Sequence, residues 1–148
     1  MRYTKLMAFI PLLIAVSQAV ACSSDSGSAA SKGEENVRVE QVAGTTLNRV
    51  TLTEHAASRL GIQTVPVQEM TQAAGPRTSI PYSAVIYDLK GQAWAYTTSE
   101  SNVFVRHALR IDVISGSSVV LLEGPPAGTR IVTTGVAELY GSEFGVGH

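Results

Sequence analysis

A single thiol, Cys22, and three imidazoles, His55, His107 and His148, are the side chains best suited to nucleophilic or metal chemistry in this 148-residue chain. Their spacing supports neither. The histidines fall on an expected helix, an expected strand and the last residue, whereas metal sites need ligands at fixed short spacings. His107 therefore reads as a strand-face residue. One cysteine cannot form an intramolecular disulfide or a multi-cysteine metal site. The serines gather at positions 23–31 and in turns, and Gly141-Ser142-Glu143-Phe144-Gly145 approaches a nucleophile elbow only superficially, without the strand–helix setting. There is no Gly-Lys-Ser/Thr phosphate loop, and Met70 is the only methionine beyond the first 21 residues, too few thioethers for a soft-metal site. The expectation is no enzyme, no cofactor and no metal site.

Tyr82, Tyr87, Trp94, Tyr96 and Phe104 supply the aromatic content of the central segments. Core and cross-strand packing is their ordinary role. The alternative is an envelope binding module for a small molecule or ion, built around Tyr82, Tyr87, Trp94 and Tyr96. Trp94 and Tyr96 share one strand face, and Ala93 and Ala95 leave the other open to close covering.

Cys22 draws its meaning from what precedes it. Residues 1–21 begin with Arg2 and Lys5, continue through the apolar run Leu6 to Val16, and end in the small residues of Ala19-Val20-Ala21. That is the three-part layout of a secretory signal. The run is far short of roughly 18 apolar residues and holds Pro11, so no transmembrane helix is expected. With the sole cysteine directly after Ala21, the segment resembles a bacterial lipoprotein signal, although Ala19 stands where that pattern usually has Leu. The resemblance implies lipidation at Cys22 and a protein held at the extracytoplasmic face of a cell membrane, in the periplasm or cell envelope. Each buried methylene contributes about 0.8 kcal/mol, and stable anchoring takes at least two chains. Ordinary cleavage, leaving a free thiol, is the competing outcome.

Residues 22–36 are rich in Ser, Gly and Ala and hold no large apolar side chain. Such a segment cannot offset its ordering entropy and reads as a tether, with an r.m.s. span of about 20 Å. The chain has 11 Lys and Arg against 12 Asp and Glu. With Arg2 and Lys5 removed alongside the signal, the net charge is −3. No nucleic-acid partner is expected, because phosphate binding needs clustered cations and only Arg106 and Arg110 lie near each other.

Residues 37–148 form the expected folded domain, an all-β antiparallel barrel or roll with one short helix. Arg49 to Thr53 alternates as a strand. Thr53 is the N-cap of a helix over Glu54 to Leu60, which Gly61 stops. Ile62 to Val67 returns to strand, with Pro66 at an edge or exit. Gln68 to Pro76 is polar and reads as a loop. Ser83–Tyr87 and Gln92–Thr97 flank the turn Asp88-Leu89-Lys90-Gly91 as a hairpin. Asn102 to Ile114 is one long or two short strands. Ser118–Leu122 and Thr129–Thr134 follow the turns Ser115–Ser117 and Gly124–Gly128, and Val136 to Tyr140 is a helical turn.

Three stretches in order resemble the periplasmic adaptor (membrane fusion) subunits of RND-type efflux systems. Val50-Thr51-Leu52-Thr53-Glu54, with Leu60 to Val67, is similar to the segment before their lipoyl-like domain. Ile80 to Asp88, with Gly91 to Tyr96, is similar to the entry to their membrane-proximal domain. Gly124 to Gly135, with Ala137 to Gly141, is similar to its final hairpin. The resemblance spans Arg49 to Gly147 and implies the membrane-proximal domain, which docks on a transporter. In that family a lipoyl-like domain, a long helical hairpin and a β-barrel domain separate the first stretch from the second. Here only Gln68 to Arg77 does, and no heptad pattern occurs. The expected function is thus a non-enzymatic, membrane-tethered module contacting an RND or other membrane transporter. The alternatives are the binding module and a remnant of a full-length adaptor.

Overall fold

Thr53 and Gly61 set the first helix. Thr53 Oγ1 accepts the amide of Ala56 at 3.2 Å and Glu54 sits in the first turn, so α1 (Glu54–Arg59) starts there. Gly61 then turns the chain at φ +62. The computed structural model describes residues 36–72 and 75–145. The signal segment, Cys22, nearly all of the tether and His148 lie outside those residues.

Ten strands pair antiparallel: β1 (Val37–Gln41), β2 (Asn48–Leu52), β3 (Gln63–Pro66), β4 (Gln68–Gln72), β5 (Gly75–Pro81), β6 (Ile86–Tyr87), β7 (Ala93–Glu100), β8 (Val103–Ser115), β9 (Ser118–Glu123) and β10 (Arg130–Thr134). The main order is β3-β10-β7-β8-β9-β5-β4, with β1–β2 added on β8 and β6 on β7. Its two end strands are consecutive in the chain. They are joined through Val67, whose amide donates to Thr129 O at 2.8 Å and whose carbonyl accepts from Gly128 at 2.9 Å. The sheet therefore curls back on itself as a small roll, the all-β class expected from the sequence.

β8 makes the curl possible. It pairs with β7 along one edge, and along the other it meets β2 first and β9 afterwards. Register shifts at Arg110/Ile111 and Ile111/Val113 bend it between the two neighbours. It is one long strand, which resolves the choice left by the sequence.

Two cores lie on opposite faces of the shared strands. The inner one gathers Val67, Ile80, Ala84, Ala93, Ala95, Leu109, Val119, Leu121 and Ile131. The outer one gathers Val50, Leu52, Tyr96, Phe104 and Val132 with α1 and with α2 (Val136–Phe144). Alternation along β7 explains the split. The Ala93/Ala95 face is fully covered inside the roll, and Tyr96 turns outward beneath α2. Large side chains such as Ile80, Leu121 and Ile131, at most 1% exposed, each contribute about 1.5–3 kcal/mol.

Three local expectations fail. Gln68–Pro76 is not a loop but most of a hairpin, with β4 pairing β5 from Gln68↔Ser79 to Gln72↔Gly75. β4 is mostly exposed, so its ladder forms through the backbone without an apolar face to mark it. Of Ser83–Tyr87 only Ile86–Tyr87 is strand, pairing Ile86↔Trp94 and Tyr87↔Ala93 across the expected turn. After Pro81 ends β5, Tyr82–Ala84 makes a 3₁₀ turn closed by Val85 N to Tyr82 O at 3.0 Å, which buries Ala84 in the roll. The helical turn at Val136–Tyr140 continues through Phe144 as a nine-residue helix.

Candidate functional site

The described side chains bring together one dense polar cluster, and it lies between α2 and the sheet. Val136, Leu139 and Glu143 follow the i, i+3, i+7 spacing of one helix face and all three are buried. Glu143 thereby points its carboxylate into the outer core, where it is 5% exposed. Across from it, Phe104 and Arg106 share a face of β8, and Arg106 is the register partner of Tyr96 on β7. Arg106 Nε lies 2.8 Å from Glu143 Oε2 and donates to Oε1 at 3.0 Å. The Tyr96 hydroxyl donates to Glu143 Oε2 at 2.6 Å.

Aromatic rings complete the cluster. The Arg106 guanidinium carbon sits 4.7 Å from the Trp94 ring centre and 4.9 Å from that of Phe144, with Tyr140 at 6.0 Å. These distances suit cation–π attraction, strongest where water is excluded. Burial, then the hydrogen bond and charge of Glu143, push the Tyr96 hydroxyl far above its ordinary pKa. It stays protonated and can only donate toward the carboxylate. The cluster thus pairs its one cation with its one anion. Its chemistry is to clamp α2 on the sheet.

Trp94 links this clamp to the β6–β7 turn. Its indole N–H donates to Asp88 Oδ2 at 3.1 Å, while Asp88 Oδ1 accepts the amides of Lys90 and Gln92 at 2.8 and 3.0 Å. The Trp94 hydrogen bond, chiefly, holds the Asp88 carboxyl below its ordinary range. Gly91 completes the turn at φ +79.

The residues singled out from the sequence are spread apart. His55 is exposed on α1 and His107 is exposed on β8, the strand-face placement expected for it. Among the described residues, no three His, Cys, Asp or Glu side chains group as metal ligands. The four residues of the alternative binding site fall into two pairs. Tyr96 and Trp94 belong to the Arg106–Glu143 cluster, and Tyr82 and Tyr87 neighbour each other on the surface, 44% and 45% exposed. An open cleft of about 660 Å³ lies elsewhere, between α1, the start of β3 and the Thr98–Asn102 end of the β7–β8 hairpin. Arg130 borders it, donating to Thr64 Oγ1 at 2.7 Å and to Thr64 O at 3.1 Å. Glu54 and Glu100 also line the cleft, with no histidine or cysteine.

Sequence reading passed over Glu143 and the role of Arg106. The signal was present in both. A carboxylate at a core-facing helix position requires a buried partner, and Arg106 lies two residues after Phe104 on the same buried face of its strand.

No family model matches this chain, and no curated protein matches it. Among solved structures, the chain is similar to a 180-residue piece of SilB from Cupriavidus metallidurans CH34, which encompasses the N-terminal metal-binding site and the membrane proximal domain of that protein. Identity is 22% and the TM-score 0.43. The match covers 52% of this chain and 42% of the SilB piece. Among the described residues, no helix is long and apolar enough to cross a membrane.

Proposed function

We propose that this chain is a non-enzymatic, lipid-anchored envelope module of the efflux-adaptor type that contacts a membrane transporter. Residues 1–21 act as its secretory signal, Cys22 carries the lipid, residues 22–36 are the tether and residues 37–148 are the docking domain. It works at the extracytoplasmic face of the membrane.

The supporting observation is how the resembling stretches combine. The first supplies β2, α1 and β3, and the others supply the region from Ile80 onward. β3 pairs with β10 and β2 pairs with β8, so the two halves share one sheet. Between them, where the adaptors carry their intervening domains, stands only the β4–β5 hairpin. The stretches that resemble separated parts of an adaptor thus pair with each other in one sheet here.

Cys22→Ala is the test of attachment. Two acyl chains contribute far more than the one chain that gives marginal, reversible binding. The wild-type chain should sediment with membranes and resist high salt, and the alanine variant should move to the soluble fraction. Unchanged membrane association of the variant would overturn the anchor.

A further inference from the structure

Among the described residues, β1 pairs with β2 on one edge and with no strand on the other. Which groups face outward follows from two hydrogen bonds. Leu52 N donates to Asn102 O at 2.9 Å, so Val50 and Leu52 direct their backbone groups toward β8. Thr53 N donates to Asn36 O at 3.1 Å, so the alternate residues of β2 direct theirs toward β1. Arg38 and Glu40, partners of Thr51 and Arg49, therefore bond inward. The amides and carbonyls of Val37, Val39 and Gln41 face out.

We propose that this edge pairs antiparallel with β1 of a second copy of the chain, about a twofold axis at Val39. In that register Val39 meets its own equivalent, Val37 meets Gln41 of the other copy, and each such pair exchanges both N–H···O bonds. The outward-facing residues are those the register requires.

The side chains select the same arrangement. Arg38 and Glu40 lie one on either side of the axis, so each Arg38 stands directly across from Glu40 of the other copy. Within one chain they already form a 2.6 Å ion pair, with side chains 68% and 47% exposed. Charges on an edge strand commonly prevent such pairing, and like charges would do so here. This edge instead carries one charge of each sign, placed symmetrically, and antiparallel self-pairing brings opposite charges together. Val39 is 39% exposed and Gln41 is exposed, so no element among the described residues covers the edge. The pairing is short, and confinement at a surface would raise its occupancy.

A cysteine cross-link with charge exchange tests the register. Val39→Cys is made in the full chain and oxidised in isolated membranes, and also in a Cys22→Ala chain concentrated in solution, where residue 39 is the sole thiol. A hydrogen-bonded antiparallel pair holds its Cα atoms about 5.5 Å apart, within disulfide reach. Covalent dimer should form through residue 39, at least several-fold more than through Lys90→Cys as an exposed control. Arg38→Glu or Glu40→Arg alone should reduce it several-fold, and the two together should restore it. No dimer in either preparation, or dimer indifferent to the single reversals, would overturn the proposal. Because the second preparation has no anchor, its result is independent of lipidation.

Discussion

Replacing Glu143 by alanine is expected to destabilise the domain by about 3–5 kcal/mol, the usual cost of removing one member of a buried ion pair. The carboxylate serves two donors at once, Arg106 Nε and the Tyr96 hydroxyl. Without it the guanidinium, in a residue 7% exposed, stays between Trp94 and Phe144 with no anion beside it. Tyr96, fully buried, loses its acceptor as well. Urea unfolding followed by Trp94 fluorescence would measure the loss as a fall in midpoint with little change in slope. Replacing Arg106 and Glu143 together by leucine should cost less than Glu143→Ala alone, because no buried charge is left unpaired. A loss below about 1 kcal/mol for Glu143→Ala would mean that α2 is held by Val136 and Leu139 and not by the clamp.

Gly135→Ala is expected to cost about 2 kcal/mol. Gly135 precedes α2 at φ +83, a conformation that costs an L-residue roughly 1–2 kcal/mol. A methyl group there would also press on Ile62 Cδ1 and lie 3.3 Å from the carbonyl oxygen of Leu60. Gly116 offers the comparison, with φ +58 and nothing within 4 Å of an added methyl. Gly116→Ala should therefore cost about 1 kcal/mol, the backbone strain alone. In an Ile62→Val background, which removes the clashing Cδ1, part of the Gly135→Ala penalty should disappear. Equal costs for the two glycines, measured by urea unfolding, would show that the approach of Gly135 to Ile62 is not tight.

The elements that could be read from residues alone are those with local chemical punctuation. Thr53 and Gly61 bracket α1, Asp88 and Gly91 define a turn, and Gly116 sits at φ +58 between β8 and β9. The Trp94/Tyr96 against Ala93/Ala95 asymmetry also corresponds to two real faces, with Tyr96 and the two alanines in different cores. What could not be read depends on distant partners. β4 is polar apart from Met70 and pairs with β5 through backbone groups, so Gln68–Gln72 has no pattern to distinguish it from a loop. Ile86–Tyr87 is strand as its β-branched approach suggests, but Ser83 and Ala84 belong to a 3₁₀ turn because Ala84 is drawn into the roll. The last helix runs past Gly141 to Phe144, and the Glu143 carboxylate suits its core-facing position only because Arg106, 37 positions earlier, faces it.

The proposed role, contact with a membrane transporter, joins the proposed anchor at Cys22 to the pairing of β3 with β10 and of β2 with β8. Affinity purification of the Cys22-bearing chain from detergent-solubilised membranes, with mass spectrometry of what accompanies it, tests that role most directly. A membrane transporter, of RND type or another class, should co-purify with the acylated chain and be depleted from preparations of Cys22→Ala. Recovery of the acylated, folded chain with no membrane transporter beside it would contradict the adaptor role.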